Sequence, residues 1–128
     1  MVWAITKNIK VSVEVQFQQQ HTDYSAQKFA YAYRIHIENH SEHTVQLLNR
    51  IWIIKDTHAP HKAVTGEGVV GEQPILQSGE SYSYSSWCPI ESPMGNMKGL
   101  YTFQDLESKK TFKVRVPEFQ FCPPYLKN

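Results

Sequence analysis

At 128 residues the chain is long enough for one domain with a real core and too short for two of ordinary size. Its 13 basic and 12 acidic residues leave a net charge of +1, which gives no global attraction to nucleic acid or an anionic membrane. Hydrophobic residues at 41% and charged residues at 20% are the proportions of a soluble globular protein, and no stretch approaches the roughly 20 apolar residues of a membrane span.

The opening MVWAITKNIK lacks the apolar run of a signal peptide and reads as a short mobile start, so a cytoplasmic location is expected. From there the dominant period is two. Val11, Val13, Val15 and Phe17 alternate with Ser12, Glu14 and Gln16, as in a half-buried strand. In FAYAYRIHIEN, Phe29, Tyr31, Tyr33, Ile35 and Ile37 share one face, with Arg34, His36 and Glu38 opposite. Asn39-His40-Ser41-Glu42 then reads as a turn.

The run VQLLNRIWIIKD alternates less strictly. It sets Val45, Leu47, Ile51 and Ile53 against Leu48, Trp52 and Ile54, the pattern of a strand covered on both faces. HKAVTGE leads into a glycine-rich corner, and ESYSYSSW alternates serine with tyrosine. GLYTFQDL and KTFKVRVPEF flank Glu107-Ser108-Lys109, a predicted hairpin turn, and CPPYLKN is a Pro-containing tail. No segment carries an amphipathic helix of ten or more residues. One all-β domain over residues 1–128 is therefore predicted, an antiparallel sandwich of about seven to eight strands.

TGEGVVGEQP contains Gly66-x-Gly68-x-x-Gly71, the glycine spacing of dinucleotide-binding folds. That chemistry needs a helix starting within the glycines, whose free N–H groups hold the pyrophosphate. Here Gln73 precedes Pro74, which disfavours helix, and Ser78-Gly79 signals another turn. The dinucleotide reading fails on context. The favoured reading, for at least part of the motif, is that the glycines supply positive φ or close backbone approach where the chain changes sheets. The alternative is an anion cradle of consecutive N–H groups, opposed by the flanking Glu67 and Glu72.

Cys88 and Cys122 each precede a proline, form no CxxC, and read as buried or semi-buried structural thiols, with a disulfide as the alternative. Asp56, His58 and His61 in KDTHAPH are candidate ligands for a divalent cation, although their spacing matches no established metal motif. No nucleophile elbow and no convincing carboxylate pair is present, so no enzyme is predicted. Tyr31, Tyr33, Trp52 and Trp87 read as core residues. Any of them left exposed would be a candidate anchor for a partner.

The order of motifs resembles the ApaG-domain family. YAYRIHIEN (31–39) is similar to its F-A-Y-x-(V/I)-x-I-x-N strand, with Tyr31 in place of the usual Phe. VQLLNRIWII (45–54) is similar to V-Q-L-L-x-R-x-W-x-I, and GEGVVGEQP (66–74) to the family hallmark G-x-G-V-V-G-x-Q-P. GESYSYSS (79–86), PMGNMKGLY (93–101) and VPEF (116–119) follow in the family's order. The resemblance implies a fibronectin type III-like or immunoglobulin-like sandwich with no settled catalytic activity. Bacterial members are often encoded beside a diadenosine tetraphosphate hydrolase and are linked genetically to cobalt resistance and magnesium efflux. Relatives within an F-box protein and a DNA polymerase delta-interacting protein favour a binding module.

The expectation is thus a non-enzymatic module that recognises a protein partner. Its candidate binding loop is Gly66, Glu67, Gly68, Val69, Val70, Gly71, Glu72 and Gln73, with Arg50 beside it; residues 91–99 are a second loop to test. The alternative is phosphate or nucleotide-polyphosphate binding through the Gly66–Gly71 loop, with or without a divalent cation. Pairing of exposed edge strands leaves a homodimer open.

Overall fold

A computed structural model describes residues 1–57 and 59–126. Nine strands follow in chain order: β1 (Val2–Thr6), β2 (Ile9–Phe17), β3 (Phe29–Asn39), β4 (Val45–Asp56), β5 (Lys62–Glu67), β6 (Ile75–Leu76), β7 (Ser81–Ile90), β8 (Gly95–Asp105) and β9 (Thr111–Phe121). They form two sheets, ordered β1-β2-β3-β7 and β5-β4-β8-β9, with the two-residue β6 also pairing with β4. Every strand pairing is antiparallel. The all-β sandwich expected from the alternation is what forms.

Alternation explains the first sheet directly. In β2 and β3 the odd-numbered residues from Ile9 to Val13 and from Phe29 to Asn39 are buried. They meet Leu47, Trp52, Tyr101, Phe103, Phe119 and Phe121 of the second sheet in one continuous core. The outer face of the first sheet pairs opposite charges across strands, Glu14 facing Arg34 and Lys10 facing Glu38. No α-helix occurs among the described residues; the only helical segments are 3-10 turns at Gln19–His21 and Pro124–Leu126.

Three sequence expectations need correction. Residues 2–6, read as a loose start, form β1. Lys7 and Asn8, both at positive φ, make the tight turn that pairs β1 with β2. In β4 a bulge between Leu47 and Asn49 reverses the alternation. Val45 and Leu47 therefore point inward with Trp52, which is 4% exposed, whereas Ile51 and Ile53 lie on the outer face. Trp87, expected in the core, falls on the exposed register of β7 and is 57% exposed; Tyr31 and Tyr33 are buried as expected.

The sandwich is asymmetric at its sides. On one side β1 and β2 lie against β9, where the Arg115 N–H donates to Thr6 Oγ1 at 3.2 Å. On the other side β7 bonds only to β3 and β5 only to β4, so each sheet presents a free edge.

Candidate functional site

The glycine-rich segment is a tight hairpin between β5 and β6. Val69 and Glu72 exchange both backbone hydrogen bonds, at 2.7 and 2.9 Å. The central residues Val70 (φ 48°) and Gly71 (φ 80°) both have positive φ, as a type I′ turn requires. Gly68 also has positive φ, and a Cβ there would lie 2.0 Å from the Glu72 carbonyl oxygen. The glycines thus satisfy backbone demands.

Arg50 supports this hairpin from β4. Its guanidinium lies over Gly66, and its Nη1 donates to the carbonyls of Glu67 (3.1 Å) and Gly68 (2.8 Å). Gln73 Nε2 donates to the Leu48 carbonyl at 2.8 Å, which also accepts the Gly68 N–H. Three of the loop's N–H groups, those of Gly68, Val69 and Glu72, already have backbone acceptors. The side chains of Val69 and Val70 diverge: Val69 is fully buried, while Val70 is 59% exposed at the tip. Glu67, Glu72 and Gln73 are exposed around it.

Of the residues considered for a cation, Asp56 and His61 lie within the described residues. Both Asp56 carboxylate oxygens are engaged at the β7–β8 turn, one with the Glu91 N–H at 2.5 Å and the other with the Ser92 hydroxyl. That turn opens the 91–99 segment, most of which belongs to β8. His58 lies outside the described residues, and His61 is exposed.

A different trio comes together at the end of the sandwich. His43, Asp105 and Glu107 bring one imidazole nitrogen and two carboxylates within 4.8 Å of one another. His43 Nδ1 lies 2.6 Å from Asp105 Oδ2 and 4.0 Å from Glu107 Oε2. Glu107 Oε2 also accepts the Thr44 N–H, and Asp105 Oδ1 accepts the N–H groups of Glu107 and Ser108. These bonds tie the β3–β4 turn to the β8–β9 hairpin. Asp105 and Glu107 are about sixty residues from His43, so no local spacing in the sequence signalled the trio.

The hydrogen bond that His43 donates to the Asp105 carboxylate, with that group's charge, raises the His43 pKa; the same bond lowers that of Asp105. Because the folded His43 pKa lies above its unfolded value, its contribution is complete below the unfolded pKa and disappears as pH rises through the folded one. The Asp105 contribution is present above its unfolded pKa and is lost as pH falls through the lowered folded value. Urea unfolding across pH 5–9 is expected to show a decline in stability through the His43 titration. His43→Gln should flatten that decline, and an unchanged profile would show that the pair does not couple to folding.

On the outer face of the first sheet His36 Nδ1 lies 2.5 Å from Ser83 Oγ, its cross-strand neighbour in the β3–β7 pairing. The buried phenols of Tyr84 and Tyr101 share a hydrogen bond at 2.5 Å, and burial raises the pKa of both. Burial likewise pushes the Cys88 thiol up to about 11, so it is a weak nucleophile at neutral pH. Cys88 and Cys122 are free thiols.

Comparison with known proteins accounts for this combination of sandwich and glycine hairpin. The ApaG domain model matches residues 18–105, which contain the entire hairpin and its Arg50 support. The protein ApaG of Sinorhizobium fredii is 40% identical over 126 residues, covering 98% of this chain and 96% of that protein. The ApaG of Brucella canis is 38% identical over 124 residues, with 97% and 95% covered. A crystal structure from Bordetella pertussis, of a protein given the name ApaA, superposes with a TM-score of 0.86 at 37% identity, covering 91% of this chain and 94% of that one. With agreement in both sequence and fold over almost its whole length, the chain belongs to the ApaG-domain family.

Proposed function

We propose that this domain is a non-enzymatic binding module that recognises a protein partner through the 66–73 hairpin. Val70 carries the reading. A β-branched residue at positive φ costs about 1–2 kcal/mol relative to the ordinary region. Glycine or asparagine would relieve that strain. Instead a valine is held there, exposed, with its backbone fixed by the Val69–Glu72 bridge and by Arg50 and Gln73 beneath. A rigid exposed apolar knob with a polar surround suits protein recognition, because little further ordering is needed on binding. The anion alternative is less favoured, because three N–H groups of the loop already have acceptors and Glu67 and Glu72 flank it.

Val70→Asn separates folding from binding. It is expected to raise stability by about 1 kcal/mol in urea unfolding, while a partner retained by the immobilised wild-type domain is lost. Glu14→Ala, on the far face of the first sheet, serves as the control and should retain that partner. Equal retention by Val70→Asn would remove the hairpin as the interface. Calorimetry with pyrophosphate or diadenosine tetraphosphate and Mg²⁺ is expected to give no binding heat. Binding accompanied by amide shifts at Val70 and Gly71 would instead favour the anion reading.

A further inference from the structure

Below Val70, the free edges of β5 and β7 border an open cleft of about 390 Å³ that reaches into the sandwich. Tyr33, Trp52, Tyr84 and Met97 form its floor. Val64 and Lys62 of β5 line one rim, Trp87 and Pro89 of β7 the other, and Arg50 stands near the hairpin end. Val64 and Trp87 expose 40% and 57% of their surfaces. Apolar surface thus continues from the floor to both rims.

The β7 edge lacks the devices that usually protect an edge strand. Ser81–Ile90 is ten residues long and has no charged side chain; Pro89 interrupts it only near its end. By contrast β1, the other edge of the same sheet, is five residues long and leans on β9. Lys62 and Arg50 are the charged residues lining the cleft, and among the described residues neither has a carboxylate at ion-pair distance; the Asp56 carboxylate lies near enough to act on Cys88 against Lys62. A ligand entering here meets unpaired strand edges, an aromatic floor and the two lining cations Lys62 and Arg50 together.

We propose that the cleft between β5 and β7 receives an extended peptide segment of the protein partner, which adds to the β7 edge, places an apolar or aromatic side chain over Trp52 and Tyr84, and sets a carboxylate beside Lys62 and Arg50. Main-chain pairing supplies affinity in such strand addition, and alternate side chains supply specificity. The proposal rests on the reading of the domain as a protein-binding module. It adds the conformation and chemistry of the segment bound.

A displayed library of random 12-residue peptides, selected on the intact domain, tests it. Selected peptides should alternate apolar residues around an acidic one. On binding, alternate β7 amides should exchange at least about tenfold more slowly, as one new ladder requires. Cys88, at the cleft, should be alkylated more slowly at pH 9, with Cys122 unchanged as the internal reference. Lys62→Glu should weaken binding about threefold to tenfold, and Val64→Arg should abolish it; both residues are exposed, and circular dichroism verifies their folding. Peptides that leave β7 exchange and Cys88 alkylation unaltered would overturn the proposal. So would sedimentation as a dimer whose formation excludes peptide from β7. If a partner lost by Val70→Asn is kept by both cleft variants, the cleft assignment fails and the hairpin reading stands; the converse result removes the hairpin alone.

Discussion

Replacing Asn39 with alanine is expected to destabilise the domain by about 3 kcal/mol, within the range for breaking a buried hydrogen-bond network. Asn39 is fully buried at the end of β3. Its amide Nδ2 donates to the carbonyls of His43 (2.8 Å) and Leu76 (3.0 Å), and Oδ1 accepts from the Ser41 N–H (2.9 Å) and hydroxyl (2.6 Å). Its backbone also bonds twice to the β6–β7 turn, its N–H donating to Glu80 O and its carbonyl accepting the Gly79 N–H. One side chain therefore shapes the β3–β4 turn and anchors β6 to it. Truncation removes four side-chain bonds, among them the buried one to the Leu76 carbonyl. Urea unfolding reads the loss directly. Asn39→Asp should also be severe, because Leu76 O and His43 O would then face a carboxylate rather than a donor. A change below about 1 kcal/mol for both variants would mean that water replaces the amide.

Gly68→Ala should cost about 2–4 kcal/mol, from a backbone clash added to the positive-φ penalty. The added Cβ would meet the Glu72 carbonyl oxygen at 2.0 Å, and neither backbone can move without breaking the Val69–Glu72 bridge. Gly71→Ala is the matched control: its φ is also positive, yet a Cβ there meets nothing within 4 Å. It should cost about 1 kcal/mol. If Val70 is the recognition knob, partner binding should fall with Gly68→Ala and persist with Gly71→Ala. Similar unfolding free energies for the two variants would show that the hairpin relaxes freely and does not hold Val70 rigidly.

Much of the architecture was legible because burial repeats at every second residue. β2 and β3 show it most clearly, since each buries one face only. β4 misled because its bulge inserts one residue at Leu48. Counting by twos across that point assigns Ile51 and Ile53 to the wrong face, and nothing in VQLLNR marks the slip. The hairpin glycines were read as backbone devices, since Pro74 and the missing helix argued against a nucleotide fold; Gly68 and Gly71 do take positive φ, but at a turn within one sheet, with β5 and β6 both on β4, rather than at a change of sheets. The role of Arg50 was only half visible: the sequence offered it as a polar contact, while the fold uses it to hold two carbonyls. Asp56 was considered for a cation, although turn geometry gives its oxygens to Glu91 and Ser92. The cleft escaped notice because its residues come from five strands and one loop. The signal available was the uncharged, serine-rich β7, a composition that edge strands seldom keep.

The difference between the two sides of the sandwich also has a consequence in time. β3 ends at Asn39, and its second neighbour β7 begins only at Ser81, so their pairing must close a long loop. Once residue 97 has been synthesised, every cleft residue exists. The opposite side cannot close until β9, the last strand among the described residues, meets β1. During vectorial synthesis, the free β7 edge therefore precedes the strand that seals the far side of the core. A domain with this order of assembly is expected to fold slowly for its size and to expose its strand-accepting edge to neighbouring nascent chains before its hydrophobic interior is complete.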